Sequence, residues 1–296
     1  MIFINPKIDF AFKKIFGSED SKDILISFLN ALVYEANPVI QDLEIINPYL
    51  APKIRGVKET YLDIKAKIQD AESGEERTVI IEMQVLNIEG FEKRILYNAA
   101  KSYSTQLASG EGYHLLNPVI ALTITDFVMF AELNNVTSKF ILKEKDFLID
   151  YPVYDIELVF VELPKFKKNL SELDTIIDKW LFFLNNARKL QDIPAKMHEP
   201  ELQKAFYIAN QVNLTLDELE DQEKSEIFIQ DQRGAITKAL RLGLDEGREQ
   251  GKQEGKQEGR QEKAFEIARK MLGAFDEETI AKMTGLTLED LRSLQD

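Results

Sequence analysis

Between Asn5 and Leu163, apolar residues recur at two different spacings, one typical of helices and one typical of strands. From Ser18 to Val33 they return every three or four positions, which predicts an amphipathic helix. Thr60 to Gln69 alternates apolar with polar residues, and Thr78 to Val85 is a second apolar run, so both predict strands. The turn-forming residues Glu72 to Glu75 between them predict a hairpin.

Four further segments complete the predicted order. Leu43 to Tyr49 predicts an earlier strand, and Glu89 to Ser109 predicts a long helix that ends at the glycines following it. Asn117 to Phe127 and Tyr154 to Leu163 are apolar enough to predict two more buried strands. The order αβββαβ, with one further strand, predicts an α/β fold in which helices flank a mixed central sheet.

The rest of the chain is helical in pattern, which predicts an all-helical C-terminal extension. Its clearest helix runs from Leu173 to Arg188, and Trp180 lies within the apolar stripe of that helix. A tryptophan in such a stripe is typical of a core residue, so we expect Trp180 to be buried. Changes in pattern predict four parts, namely residues 1–164, 165–235, 236–263 and 264–296.

Residues 236–263, the glycine-repeat arm, place a glycine at every fourth position from Gly243 to Gly259. Each glycine costs a helix about 1 kcal/mol relative to alanine, so the repeat is expensive for an isolated helix. One interpretation is a solvated, partly frayed helix. The other is a homo-oligomer, in which the basic row of one chain faces the acidic row of another. The two rows are Arg248, Lys252, Lys256 and Arg260, and Glu254, Glu258 and Glu262.

The segment from Asp276 to Leu294 predicts two short helices around Gly285, an arrangement similar to the helix-turn-helix of many bacterial regulators. Glu289 and Asp290 stand at the start of the second helix. Acidic residues there repel phosphates, which argues against this helix lying on DNA.

The amino-acid composition excludes several kinds of functional site. The 296 residues include no cysteine, which excludes disulfides, thiolate metal sites and cysteine nucleophiles. The two histidines, His114 and His198, are far apart, which does not favour a histidine-based zinc site. The first residues lack a signal-peptide core and no apolar run is long enough to span a bilayer, so we expect a cytoplasmic protein without a membrane partner.

The net charge of −14 argues against nucleic-acid binding, because an acidic surface repels phosphate. The objection weakens where carboxylates hold a divalent cation that neutralises them. Any metal here would be a hard cation on oxygen ligands, Mg²⁺ or Mn²⁺. The sequence contains no Gly-x-Ser-x-Gly elbow, no phosphate loop ending in Gly-Lys-Ser/Thr and no Gly-x-Gly-x-x-Gly.

Polar residues interrupt the two strands of the predicted hairpin. Glu82 breaks an apolar run, and Gln84 points to the same face because side chains alternate along a strand. A buried carboxylate is costly unless it is paired or metal-bound. Asp63 on the neighbouring strand could share one cation with Glu82, and Lys65 on its face could supply positive charge. The alternative is an exposed sheet face with a salt bridge to a lysine.

The chain resembles the PD-(D/E)XK nuclease superfamily and, within it, the recombination-promoting nuclease (Rpn) group, whose members are also described as transposases. The order and spacing match over roughly the first 130 residues, and the glycine-rich charged tail is also similar. The residues that carry the resemblance are Pro6 to Gly17, Leu62 to Ile64, Ile81 to Gln84, Arg94 to Tyr97, Tyr103, Gly110 to Tyr113 and Pro118 to Ile120.

The resemblance implies a restriction-endonuclease-like core and metal-dependent cleavage of DNA phosphodiesters that promotes recombination. Asp63 and Glu82 would be the metal ligands, and Gln84 would stand where the superfamily has lysine. Lys65 could replace that lysine, which is our inference from the face it occupies. Lys13 and Lys14, expected to begin or precede the first helix, could contact the DNA backbone or lie on a solvated helix face. Arg94, early on the helix after Gln84, is a further candidate for DNA contact.

Two functions therefore remain open. The first is a Mg²⁺-dependent DNA endonuclease acting on a mobile element or in recombination. The second is a catalytically degenerate nuclease fold that serves as a DNA-binding or self-associating module. Retention of both carboxylates favours the first, whereas the acidic charge and the missing lysine fit the second.

Overall fold

The computed structural model describes residues 2–50, 60–71 and 74–294, so the predicted turn residues Glu72 and Ser73 lie outside it. The chain forms two compact units, Met1–Gln230 and Asp231–Asp296. The four-part division predicted from the sequence stays a prediction.

The first unit is built on a six-stranded sheet with the order β1-β4-β5-β6-β8-β7. The strand β5 pairs antiparallel with β4 on one side and parallel with β6 on the other, which makes the sheet mixed. The order αβββαβ and the mixed sheet are thus confirmed. The strands are β1 (Ile40–Ile46), β2 (Tyr49–Leu50), β3 (Thr60–Tyr61), β4 (Ile64–Asp70), β5 (Glu76–Gln84), β6 (Val119–Thr125), β7 (Thr137–Phe140) and β8 (Ile156–Glu162), with β2 and β3 forming a separate two-stranded ribbon.

The helices flank this sheet and then continue beyond it. The helices are α1 (Asp9–Phe16), α2 (Lys22–Leu32), α3 (Phe91–Ser104), α4 (Ile176–Asn186), α5 (Pro200–Ala209), α6 (Leu216–Met271), α7 (Glu277–Thr284) and α8 (Leu288–Arg292). The helices α1, α2, α4 and α5 bury their apolar stripes with one face of the sheet in a single main core. The helix α3 covers the other face. The predicted all-helical C-terminal extension is therefore confirmed.

Trp180 is fully buried in the main core, as its position in the apolar stripe predicts. Its ring meets that of Phe28 edge to face at 5.5 Å, a favoured geometry for aromatic pairs. Its indole N–H donates a hydrogen bond to Ser27 Oγ at 3.2 Å, so the buried polar atom is satisfied.

Three features differ from the expectations. A separate helix, α1, precedes the predicted one, so Lys13 and Lys14 lie in its last turn and neither begin nor precede the first helix. The strand predicted from Thr60 to Gln69 is broken at Asp63, because Leu62 N–H bonds to Pro48 O and leaves the β4–β5 ladder. The short edge strand β7 was missed, since two of its four residues are exposed and the strand lacks apolar alternation.

The long helix predicted from Glu89 to Ser109 is shorter, as α3. Gly90 has a left-handed backbone (φ 79°) directly before it, which excludes an earlier start. At the other end, Thr105 Oγ1 donates to Lys101 O at 2.7 Å and the helix stops well before the glycines.

The helix α6 has 56 residues in total, and in the second unit its side chains 231–263 are all exposed, as expected for a solvated helix; whether the arm frays stays a prediction. The end of α6 packs with α7 and α8 around Ala268, Ile280 and Leu291. The two short helices around Gly285 are confirmed, and the left-handed Gly285 (φ 75°) ends α7. In the described part of the chain, no helix is long and apolar enough to cross a membrane.

Candidate active site

The carboxyl end of β5 carries the first acid of the candidate site. Glu82 shares a sheet face with Ile80, whose register partner on β4 is Lys65. That face is covered by α3, and Asn98 Nδ2 of α3 donates to Glu82 Oε1 at 2.5 Å. The side chain of Glu82 is only 13% exposed, and burial raises its pKa despite the opposing effects of Arg94 and Asn98.

Asp63 supplies the second acid from the bend before β4. Its Oδ2 accepts a hydrogen bond from the backbone N–H of Met83 at 2.7 Å, so the carboxylate replaces a backbone partner on β5. Its side chain is 18% exposed. The pKa of Asp63 is raised to about 7, mainly by burial and also by the neighbouring carboxylate of Asp9, against the opposing effects of the Met83 N–H and Lys13.

Lys13 of α1 is the cation beside Asp63. Its Nζ lies 2.7 Å from Asp9 Oδ1 and 3.6 Å from Asp63 Oδ1. Gly17 allows α1 to end close to Ile64 of β4. A Cβ on residue 17 would lie 2.8 Å from Lys13 O and 3.4 Å from Ile64 Cγ1. Burial lowers the pKa of Lys13, but the two carboxylates outweigh it and the pKa is raised.

Lys65, the residue predicted to supply positive charge, has a different environment. Burial and the neighbouring charge of Lys67 lower its pKa. The lysine ion pair described for Asp63 is with Lys13. The role of Lys65 stays a prediction.

Gln84 holds an arginine in place. Its Oε1 accepts a hydrogen bond from Arg94 Nη2 at 2.7 Å, and its Nε2 donates to Leu86 O at 2.7 Å. Arg94 Nη2 also lies 3.6 Å from Glu82 Oε2, and the guanidinium lies over the Phe91 ring at 5.0 Å from its centroid. Both ends of the Gln84 amide are thus engaged.

The other predicted DNA contact, Lys14, forms an ion pair with Glu218 at the start of α6. Its ammonium is therefore neutralised by a carboxylate of the same unit. A DNA contact by Lys14 stays a prediction.

An open cleft of about 400 Å³ adjoins the site and is lined in part by Asp9, Gln84 and Phe228. Lys7 and Lys224 also border it, but Lys7 pairs with Asp126 at 2.9 Å and Lys224 pairs with Glu220 at 3.2 Å. The Phe228 ring is 59% exposed, and it gives the cleft an aromatic wall.

Asn98 is the site residue that sequence reasoning missed. Arg94 and Asn98 are four residues apart on α3, so both reach Glu82 from one helix face. That spacing, combined with the need of a buried Glu82 for a hydrogen-bond donor, is the signal that could have identified Asn98.

The donor set fits a hard divalent cation. No group of three or more His, Cys, Asp or Glu side chains able to hold a metal occurs among the residues described. Mg²⁺ does not need one, because it keeps several waters and is commonly bound by one or two carboxylates. Asp63 and Glu82 offer two such carboxylates, and the buried Asn98 Oδ1 has no hydrogen-bond partner in the described structure.

Two family models match the chain. A family model described as "PD-(D/E)XK nuclease family transposase" matches residues 6–239. A second, described as "Rpn/YhgA-like nuclease family, C-terminal HTH domain", matches residues 261–296. The chain therefore belongs to the PD-(D/E)XK nuclease family of transposases, and it is of the Rpn/YhgA-like type. No curated protein and no solved structure matches it.

Proposed function

We propose that the protein is a metal-dependent DNA endonuclease that hydrolyses phosphodiester bonds and promotes recombination. The observation that carries the proposal is the pair of largely buried acids, Asp63 and Glu82, brought to one strand end by the Asp63–Met83 hydrogen bond. Burying two carboxylates without a cation raises the pKa of each, which is a cost that metal binding removes. DNA is the partner, and the cytoplasm is the compartment in which we expect it to act.

In this mechanism Asp63 and Glu82 would hold Mg²⁺ or Mn²⁺. When bound, such a cation polarises a phosphate oxygen and acidifies a water. Asn98 keeps the Glu82 carboxylate oriented through its hydrogen bond. Hydrolysis adds water across one P–O bond of the backbone and leaves a phosphate monoester and a hydroxyl. A cation bound by the two carboxylates would offset their charge locally. This is how an acidic chain could accept DNA at this site.

The test is cleavage of supercoiled and linear DNA by the wild type and by Glu82→Ala, each with Mg²⁺ or with chelator. We expect nicking or linearisation that requires both the metal and Glu82, with the same loss in Asp63→Ala. Glu92→Ala removes an exposed acid from the same neighbourhood on α3 and should cut like the wild type. Equal cutting by wild type and Glu82→Ala would assign the activity to a contaminant and overturn the proposal.

The alternative is a degenerate nuclease fold that binds DNA without cutting it. The engagement of both ends of the Gln84 amide favours this alternative, because that residue stands where the superfamily has lysine. DNA binding without cutting under any metal condition would support it.

We also propose that the glycine-repeat arm associates with a second copy of itself. A Cβ added at Gly243, Gly247 or Gly251 would meet no atom within 4 Å, so packing within the chain does not require these glycines. Glycines let two helix backbones approach closely, and the basic and acidic rows provide charge complementarity between copies. Analytical ultracentrifugation of the full chain tests this, and a monomer at micromolar concentration would overturn it.

A further inference from the structure

A positive charge close to the reacting phosphate is what the Glu82-Met83-Gln84 sequence lacks, since glutamine is neutral. The guanidinium of Arg94 lies directly beside this sequence in space. Its Nη2 donates to Gln84 Oε1 at 2.7 Å and approaches Glu82 Oε2 at 3.6 Å. The charge is therefore supplied from α3 and not from β5.

The partners of Arg94 leave it able to bind a further group. Its closest described partner is the neutral amide of Gln84, which fixes its position without cancelling its charge. The carboxylate of Glu82 is farther away, beyond hydrogen-bond distance. A guanidinium carries five N–H donors, and Arg94 Nε is buried without a hydrogen-bond partner in the described structure. The side chain remains 37% exposed, so a ligand can reach it.

Two further contacts restrict the guanidinium, and a third holds the backbone of Arg94. The ring of Phe91 lies under it at 5.0 Å, and Gln84 is itself tied to Leu86 O through Nε2. Arg94 also lies in the first turn of α3, where its N–H bonds to Gly90 O at 3.0 Å. Such fixed donors stabilise developing charge at little reorganisation cost.

We propose that Arg94 is a catalytic residue that contacts the scissile phosphate, and that Gln84 is its positioning residue; this rests on the proposed nuclease function. The substrate group is a phosphodiester oxygen, which a guanidinium fork binds well. The two lysines of α1 are less suited to this role. Lys13 Nζ is 2.7 Å from Asp9 Oδ1 and Lys14 pairs with Glu218, so a carboxylate already offsets the charge of each.

The experiment measures kcat and KM for Mg²⁺-dependent DNA cleavage by the full chain. Arg94→Ala should lower kcat on the order of 100-fold, the size found when one charge-stabilising donor is removed. Arg94→Lys should recover only part of this loss, because an ammonium lacks the fork. Lys93→Ala, an exposed cation one residue away on the same helix, is the matched control and should match the wild type.

A purely structural role for Arg94 is distinguished by rescue. In Arg94→Ala, the further change Gln84→Lys returns a cation to the site and should restore kcat at least tenfold. If Arg94 only compensated the charge of Glu82 in folding, the double variant would regain melting temperature without regaining kcat. That result, or Arg94→Ala cutting like the wild type, overturns the inference while the nuclease function stands. If the wild type shows no metal-dependent cutting, both this inference and the proposed nuclease function are wrong.

Discussion

The Oδ2 atom of Asp63 accepts the backbone N–H of Met83 at 2.7 Å, and this hydrogen bond joins the bend before β4 to the strand that carries Glu82. Because Met83 directly follows Glu82, one contact fixes the two acids relative to each other. An asparagine at position 63 retains an oxygen that can accept this bond but carries no charge. Asp63→Asn is therefore the variant that separates the geometry of the site from its charge.

Mg²⁺ should stabilise the folded chain. At a tenfold excess over the dissociation constant, one bound ion adds about 1.4 kcal/mol to the free energy of unfolding. Thermal melts with and without Mg²⁺ measure this, and Asp63→Asn and Glu82→Gln should each abolish the shift. An equal Mg²⁺ response in Glu82→Gln would mean that the ion binds elsewhere.

In chelator, stability should fall as pH rises from about 4 to about 7. The folded-state pKa of Asp63 is raised to about 7 from 3.8, mainly by burial, so the folded state binds more protons than the unfolded state over this interval. Each pH unit then lowers the free energy of unfolding by up to about 1.4 kcal/mol, and the full loss is present above pH 7. Urea unfolding at several pH values measures it.

Asp63→Asn is the control for this pH dependence, because it removes the titrating carboxyl and keeps the hydrogen-bond acceptor. It should flatten the slope and be more stable than the wild type in chelator above pH 7. An unchanged slope would assign the dependence to other groups, one of which is Glu82, whose pKa is also raised by burial.

The sheet was predictable because its strands carry strong local signals. The run from Thr78 to Val85 became β5, and the alternation after Asp63 became β4, with the expected antiparallel pairing. Element ends were less predictable, because they depend on single residues. The left-handed Gly90 sets the start of α3, and the Leu62–Pro48 hydrogen bond ends the pairing before Asp63.

The candidate site shows the same limit. Asp63, Glu82 and Gln84 stand at positions that the strand pattern and the family resemblance indicate. Their partners come from helices outside the two strands, namely Lys13 from α1 and Arg94 and Asn98 from α3. Packing of helices on a sheet decides such contacts, and no local spacing encodes which cation meets which acid.

Replacing four arm glycines by alanine should have opposite effects on helicity and on association. Each change favours the helix by about 1 kcal/mol, whereas a methyl group on each turn hinders close approach of a second helix. Circular dichroism should show an equally or more helical chain, and sedimentation should show a weaker oligomer. The four positions are Gly247, Gly251, Gly255 and Gly259.

The matched control changes four glutamines of the same arm to alanine and leaves the glycine row intact. This variant should associate like the wild type. A similar loss of association in both variants would show that the glycines have no particular role. The control positions are Gln250, Gln253, Gln257 and Gln261.

Deleting residues 261–296 should leave DNA affinity unchanged or slightly higher. This segment has five Lys and Arg residues against eight Asp and Glu residues, a net charge of −3. Asp290, at the start of α8, is already engaged in a capping box with Thr287. Fluorescence anisotropy at fixed salt measures the affinity. A tenfold loss, reproduced by Arg292→Ala in the full chain, would instead make this segment a DNA contact.

The single tryptophan is a fluorescence probe for one part of the chain alone. Trp180 is fully buried among aromatic rings of the main core. Its emission should therefore be blue-shifted in the native state and should move to longer wavelength on unfolding. The second unit holds no tryptophan and is silent at that excitation. Fluorescence therefore follows the first unit alone, whereas circular dichroism at 222 nm also registers the helices of the second unit. A difference between the two melting curves measures how independently the two units unfold.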